Sequence, residues 1–402
     1  MKVAIIGAGA AGCFCAVNLK RLCPDVQIDV FESGKKPLQK VAITGGGRCN
    51  LTNSFSGVRS LEQVYPRGHQ LMKRLMKQFD QHDVMRWFEE EGVRLVVQED
   101  QCVFPQSQDA MEIVSTLLRG MQGVRIYCNH RITDLPQGYD ATVITTGGSP
   151  KASGLDFLAP LQLETIAPVP SLFTFNIAPP KAESAMPITE LMGTVVEHTI
   201  TGLAGTKYKA EGPLLITHWG MSGPAILKLS SHAARWLSEQ GYHATLCVDW
   251  MGEMKEDDAR AMLTKLMNDN RHKQISSVRP IDLQGRQPLT QRHWLHLLNN
   301  IGIAPERRCA EIGSKQLNRL AATLTNDTYQ ITGQSRCKEE FVTCGGVALS
   351  NLNPNTLECK LHPGIYLAGE VTDVDAVTGG FNLQAAWTMG YVVAQSIAAK
   401  AQ

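Results

Sequence analysis

The sequence predicts an α/β fold: an open parallel sheet whose two portions are separated by a long insert. Three observations carry this. The first 32 residues read as strand, glycine turn, helix, strand, acid. A second apolar strand ending in Gly-Glu, Gly364-Ile365-Tyr366-Leu367-Ala368-Gly369-Glu370, returns near the C-terminus. Between them the chain changes character twice, first to short alternating runs rich in Gly, Pro and Thr turns, then to helical periodicity.

The opening element is the most specific. Val3-Ala4-Ile5-Ile6 leads into Gly7-Ala8-Gly9-Ala10-Ala11-Gly12, then Cys13 to Leu19, and a second run from Val26 to Phe31 ends on Glu32. Gly7 allows the tight turn, Gly9 lets backbone approach a pyrophosphate, and Gly12 lets the helix lie close on the strand. The helix N-terminus then faces phosphate, and Glu32, 20 residues after Gly12, accepts hydrogen bonds from a ribose. This is a Rossmann-like, dinucleotide-binding start.

Composition excludes several classes. The 402 residues suffice for two or three domains, and 39 Lys and Arg against 38 Asp and Glu offer no global case for a nucleic-acid or membrane partner. Three glycines cut the first apolar run and no cleavage site follows, so it does not read as a signal peptide. No uninterrupted apolar run reaches membrane-spanning length. Eleven scattered cysteines without a CxxC fit a reducing cytoplasm rather than a disulfide framework, and no metal site is expected.

After Glu32 the loop Ser33 to Pro37 precedes Val41-Ala42-Ile43-Thr44-Gly45-Gly46-Gly47-Arg48-Cys49-Asn50-Leu51-Thr52-Asn53. Three consecutive glycines suit neither helix nor strand but make a nest of backbone N–H groups beside the fixed charge of Arg48. Residues 69–92 repeat apolar side chains at helical spacing up to Gly92. Val93–Val97, Val124–Cys128 and Arg131–Leu135 read as strand pieces, with a helix around Met111–Leu118. Ala141 to Ile144 is an apolar strand ending at Thr146-Gly147-Gly148, another parallel strand meeting the cofactor edge. Phe173 to Cys247 reads as a small β domain or barrel, and Lys255 to about Leu324 as helical, with Ser314 capping a helix that carries Leu317, Leu320 and Leu324. The expected domains are 1–175 with 337–402 for the cofactor, 176–250 with 325–336 for the barrel, and 251–324 for the helices.

The late Gly369-Glu370 strand, followed by Gly379-Gly380-Phe381-Asn382-Leu383-Gln384 and a closing helix, favours FAD over NAD. FAD is longer, so Glu370 can meet its ribityl or pyrophosphate region. A helix starting near Gly380 can point N–H groups at the flavin N1–C2=O edge, stabilising anionic reduced flavin by on the order of 1 kcal/mol.

On these residues the chain resembles the HI0933-like flavoprotein family, with its BaiN-type and aminoacetone-oxidase-type members. The resemblance also rests on Val103-Phe104-Pro105-Gln106-Ser107, on Leu215 to Ala225 with its Thr217-His218-Trp219-Gly220-Met221-Ser222-Gly223-Pro224 core, and on Val342 to Val347. It covers almost the whole chain. It implies an FAD-binding Rossmann-like domain interrupted by a β-barrel part and a helical part. It further implies FAD contacts at Gly7, Gly9, Ala10, Ala11, Gly12, Glu32, Ser33, Lys40, Thr44, Gly45, Gly46, Gly47, Arg48, Cys49 and Asn50. The same holds for Thr146, Gly147, Gly148, Gly369, Glu370, Gly380, Phe381, Asn382, Leu383 and Gln384, with Arg131 giving the adenine a backbone contact. One departure stands out: Ser149 to Asp156 is shorter than in relatives and lacks their GSTGDGY-like run, which points to a different substrate if that run borders the pocket.

The expected activity is FAD-dependent hydride transfer to or from a small organic substrate of the enone, ketone or amine class. There is no second GxGxxG unit, so NAD(P)H, if used, visits the flavin face transiently. Without a CxxC, Cys49 reads as a cofactor-loop residue rather than a redox thiol. His218 is the acid/base candidate, on a turn able to project into a cleft between flavin and insert, with a histidine bonded within its own turn as the other reading. Arg48 is placed to orient an anionic substrate, the flavin pyrimidine edge or a phosphate. The alternative function is a flavoprotein that binds or modifies nucleic acid through its helical insert.

Overall fold

A computed structural model describes residues 1–149, 152–180, 186–335 and 342–401. The chain divides into two compact units, Met1–Ser171 with Glu339–Gln402, and Leu172–Lys338. The expected 336/337 junction, and Pro150 and Lys151 of the shortened segment, lie outside the described residues.

The first unit begins with β1 (Lys2–Ile6), α1 (Ala10–Leu22), β2 (Gln27–Phe31), α2 (Gln39–Gly47), β3 (Thr52–Asn53), α3 (His69–Leu75) and α4 (Gln81–Glu90). It continues with β4 (Leu95–Val97), β5 (Cys102–Pro105), α5 (Ala110–Gly120), β6 (Arg125–Tyr127), β7 (Ala141–Ile144) and β8 (Thr165–Ser171). The second unit holds β9 (Phe175–Ile177), β10 (Val195–Leu203), β11 (Lys209–Ile216), β12 (Gly220–Ser222), α6 (Pro224–His232), α7 (Ala234–Glu239) and β13 (Ala244–Asp249). After these come α8 (Glu256–Asp269), α9 (Gln291–Asn300), α10 (Ser314–Asn326) and β14 (Asp327–Gln334). The chain then returns to the first unit with β15 (Val342–Val347), β16 (Ile365–Leu367) and α11 (Phe381–Ala401).

The main sheet is parallel with order β16-β7-β1-β2-β6. Its centre, β1, is apolar from Val3 to Ile6 because both faces are covered: Val3, Ala4 and Ile5 are fully buried. Helix α1 is buried along nearly its whole length, and α11 crosses it so closely that a Cβ on Gly390 would lie 2.6 Å from the Ala11 carbonyl oxygen. A lysine-free, acid-free α11 up to Lys400 matches a helix surrounded by protein. In the second unit β10-β11-β12-β9-β14-β13 close a barrel. Strand β14 completes it after the helices α8 to α10, so the helical segment is an excursion from the barrel.

Four local expectations change. The stretch 69–92 is two helices, because Asp80 starts α4 with a capping box to Asp83. Residues 131–135 form no strand. Ser314 is the first helical residue of α10 rather than its cap; Gly313 occupies that position and its N–H donates to Gln316 Oε1 at 3.2 Å. The β segment also contains α6 and α7, begun by Gly223 and by Pro224 at the first helical position.

The helical excursion carries a titratable core. His293 and His296 of α9 are buried, and His293 meets the Trp250 ring edge-on with centroids 4.5 Å apart. Neither ring nitrogen of His293 has a hydrogen-bond partner among the described residues. Burial pushes the two imidazoles down to about 3 and about 4. The unfolded chain protonates both near 6.5, so it binds more protons below that pH. Stability is therefore expected to be flat above pH 6.5. It falls on acidification by up to about 1.4 kcal/mol per pH unit for each histidine, until the folded values are reached. Urea midpoints read by tryptophan fluorescence at pH 7 and pH 5 test this. A His293→Leu variant that keeps the full pH slope would refute it.

Candidate cofactor site

The glycine turn is locked from one side and bare on the other. Gly7 sits at φ 105°, and its N–H donates to the Phe31 carbonyl at 2.8 Å. The Thr145 hydroxyl, just past β7, donates to the Gly7 carbonyl at 2.8 Å. A Cβ on Gly7 would lie 2.4 Å from the Thr145 carbonyl oxygen, and one on Gly12 would lie 2.0 Å from the Gly7 carbonyl oxygen. Gly9 differs. Its φ of −84° suits any residue, and an added Cβ would meet no atom within 4 Å. Neither packing nor backbone conformation accounts for this glycine. Its missing side chain leaves the start of α1 bare, and no side chain caps that helix.

Glu32 closes the same end of the sheet. Its carboxylate accepts from the Ala8 N–H at 2.9 Å and from the Gly34 N–H at 2.6 Å. Ser33 is exposed with its hydroxyl 3.4 Å from that carboxylate. The His130 N–H donates to the Glu32 carbonyl at 2.8 Å, which brings exposed Arg131 next to the acid. The turn, Glu32 and Arg131 thus share one edge. Substituting Glu32 by alanine is expected to weaken cofactor binding by roughly 1–3 kcal/mol, the scale of charge-assisted hydrogen bonds. Flavin titration of the apoprotein measures it, and an unchanged affinity would place the ribose elsewhere.

Three glycines break α2 as their sequence requires. Thr44 turns extended with ψ 141°, then Gly45, Gly46 and Gly47 take φ 64°, 69° and 82°. The run then docks on the start of α11. Asn50, with its amide oriented to satisfy both ends, donates to the Thr52 carbonyl at 3.0 Å and accepts from the Gly380 N–H at 3.2 Å. Asn53 donates to the Gly379 carbonyl at 3.0 Å. The buried Thr52 hydroxyl meets Gln384 Oε1, and a Cβ on Gly380 would lie 2.3 Å from the Thr52 carbonyl oxygen. Phe381 is held edge-on by Phe55 at 5.1 Å, and its carbonyl accepts from Tyr65 at 2.9 Å. Asn382 folds back on the Ala376 backbone, donating and accepting at 2.9 Å, and Leu383 packs against the core of this unit. Arg48 is exposed over the Phe104 ring at 4.5 Å, with Nε on the Gly45 carbonyl at 3.1 Å. Cys49 is fully buried, and burial pushes its thiol up to about 12, so it is no thiolate nucleophile.

A third group joins the two ends of the chain. Glu370 accepts from the Thr343 N–H at 2.7 Å and pairs with Lys40 at 3.6 Å. Gly147 and Gly148 lie against it: a Cβ on Gly148 would stand 2.5 Å from Glu370 Oε1. Thr146 beside them is exposed. A Cβ on Gly369, at φ 78°, would lie 3.1 Å from the Ala11 side chain. Ala10 opens α1 between these features. His218 belongs to the other unit, exposed on the turn between β11 and β12, its ring tilted against Trp219 with centroids 4.3 Å apart.

Three residues were not singled out from sequence: Thr145, which locks the turn, Asn53, which holds Gly379, and Tyr65, which holds Phe381. Asn53 and Thr145 lay inside runs the sequence marks, Tyr65 in none. Thr145 and Tyr65 gain their roles through distant partners. Among the described residues no three His, Cys, Asp or Glu side chains gather as a metal site, and no helix is long and apolar enough to cross a membrane.

A parallel sheet with a bare helix start, an acid at the next strand end and a returning C-terminal strand defines a Rossmann-type dinucleotide-binding protein. The chain belongs to the HI0933-like protein family, whose Rossmann-domain model matches residues 1–396, and it is a flavoprotein oxidoreductase. It is 27% identical to the 3-dehydro-bile acid delta(4,6)-reductase of Clostridium scindens, over 99% of both chains. It is 27% identical to the ribosomal RNA dihydrouridine synthase of Escherichia coli K12, over 98% of this chain and 97% of that one. The Haemophilus influenzae protein of the same name is 26% identical, over 98% and 97%.

Proposed function

We propose that the chain binds FAD and reduces a carbon–carbon double bond conjugated with a carbonyl. Gly9 carries the FAD reading: a glycine required by neither φ nor packing, on an uncapped helix start, is suited to a pyrophosphate. Glu32 then holds the adenosine ribose, which FMN lacks, with the backbone at Arg131 beside the adenine. The edge formed by Lys40, Thr146, Gly147, Gly148 and Glu370 takes the middle of the dinucleotide. The run from Thr44 to Asn50 and the start of α11 at Gly380 to Gln384 take the flavin. The bound flavin supplies hydride exchange.

The double bond is argued from chemistry that two kinds of relative share. By name, one reduces a 3-keto steroid and the others saturate uridine. In both, the alkene is polarised by a carbonyl, so hydride adds to the β-carbon and a proton to the α-carbon. NAD(P)H of the solution is the reductant, oxidised to NAD(P)⁺. His218 donates the proton, and the exposed Arg48 guanidinium orients the anionic side of the substrate.

The experiment has two parts. Denatured protein is expected to release FAD alone, and FMN in its place would refute the cofactor assignment. NAD(P)H is expected to bleach the flavin slowly by itself, and a conjugated enone to restore the absorbance under argon. Reoxidation by saturated ketones or amines but not by enones would overturn the substrate class.

A further inference from the structure

The near-zero charge of the whole chain conceals a strong local excess. Residues 270–324, after α8, contain nine Lys and Arg against three Asp and Glu. Two of the three acids are engaged. Asp282 is tied to Arg286 at 2.7 Å, and Glu311 pairs with Arg307 at 3.9 Å and accepts from the Arg308 N–H at 3.4 Å. Arg279 is bonded to the Leu289 carbonyl at 3.0 Å. Arg271, Lys273, Arg292, Arg308, Lys315 and Arg319 remain, all exposed and, among the described residues, without an ion pair.

These six are brought together by the local fold. The segment after α8 runs antiparallel to the segment before Glu311: the Ile275 N–H donates to the Arg307 carbonyl at 2.8 Å, and the Cys309 N–H to the Lys273 carbonyl at 2.9 Å. A bridge pairs Gln274 with Arg308. The start of α9, with Arg292, is fastened to this ribbon by Gln291 on the Ser276 carbonyl at 2.6 Å and by Trp294 on the Ile275 carbonyl at 3.0 Å. Helix α10 begins just after the ribbon, and Lys315 and Arg319 are one turn apart on it. Unpaired like charges gathered on one ribbon repel one another, and the exposed Glu306, the third acid, does not offset six of them. A polyanion does.

We infer that this ribbon, with the starts of α9 and α10, is a docking surface for RNA phosphates. The inference rests on the conjugated-double-bond reading above, in which the reducible group is then a uracil base carried on a folded RNA. Cations spread along a ribbon and two helix starts match a backbone of repeated phosphates better than a single anionic head. Arginines contribute bidentate contacts to phosphate oxygens.

The test uses the flavin-loaded protein and a fluorescein-labelled ribosomal RNA hairpin of about 40 nucleotides. Anisotropy titrations from about 50 to 200 mM KCl should show affinity falling steeply with salt. A combined Arg271→Gln, Lys273→Gln, Arg308→Gln, Lys315→Gln, Arg319→Gln variant should bind at least ~10-fold more weakly, with the log–log salt slope reduced by roughly 3. Its flavin content and its turnover of a small enone should equal the parent's, since none of these residues lies at the cofactor site. A parent that does not bind the hairpin at 50 mM KCl, or a variant that binds it equally well, overturns the surface. Equal loss of binding to phosphatidylglycerol vesicles with no RNA affinity also overturns it, in favour of a membrane. Failure of the enone assay with RNA binding intact strikes the proposed chemistry and leaves the surface standing.

Discussion

Gly12→Ala is expected to yield a protein without flavin, and Gly9→Ala a protein that folds fully but holds flavin poorly. The contrast follows from what each new methyl group meets. On Gly12 it would lie 2.0 Å from the Gly7 carbonyl oxygen and 2.5 Å from the Thr145 hydroxyl, both part of the locked turn. Helix α1 must then withdraw from β1, and the packing of α1 on α11 goes with it. Destabilisation of several kcal/mol is expected, the upper range for overpacking a close contact. On Gly9 the methyl meets no protein atom within 4 Å. Thermal stability of Gly9→Ala apoprotein should match the parent within about 1 °C, while the ratio of flavin to protein absorbance after gel filtration drops sharply. Full flavin retention in Gly9→Ala would mean that no phosphate lies against this helix start.

His218→Ala is expected to lower turnover of the conjugated substrate by ~10²-fold or more, the usual scale of general acid–base help. FAD should remain bound. The ring is exposed, contacts the Trp219 ring, and makes no hydrogen bond among the described residues, so its removal has little to destabilise. The reading of His218 as a histidine bonded within its own turn therefore has no support: Thr217 does that work, accepting from the Gly220 N–H at 3.2 Å and the Trp219 N–H at 3.3 Å. The informative measurement is the pH profile of the step that consumes substrate. Loss of one ionisation from that profile assigns the proton to His218. An unchanged profile and unchanged turnover would assign it to solvent.

The parts of the fold legible in the sequence were those with a short-range signature. The strand, glycine turn and acid of residues 1–32 encode their arrangement within one βαβ unit, so Gly7, Gly12 and Glu32 were found where the structure has them. The barrel was visible as alternation, and its closure by β14 as a strand resuming after the helices. What failed was local competition. The periodicity of residues 69–92 continues through the break, yet Asp80 and Asp83 together start a new helix, a signature present in the sequence and outweighed by the apolar spacing. Arg131 to Leu135 has strand-forming residues but no neighbouring strand to pair with. Thr145, Asn53 and Tyr65 were illegible because each depends on a partner fixed only by tertiary structure, such as Tyr65 on the Phe381 carbonyl. His293 and His296 lie in a segment rich in charge, yet they are core residues, and the surface charge lies on their neighbours.

The crossing of α1 and α11 bears on how such a chain comes into being. Phe14, Cys15, Ala16 and Val17 are fully enclosed, yet the helix that covers them follows the barrel and its helical excursion in the chain. Throughout synthesis of the barrel and its helical excursion, the nascent first helix has no permanent cover. The barrel, whose strands all lie within one continuous stretch, can mature in that interval. The Gly380 start of α11, by contrast, is made only after the whole barrel segment. Chaperone dependence should be greatest for the apoprotein's first 170 or so residues expressed alone, which carry β1 and α1 without β16 and α11.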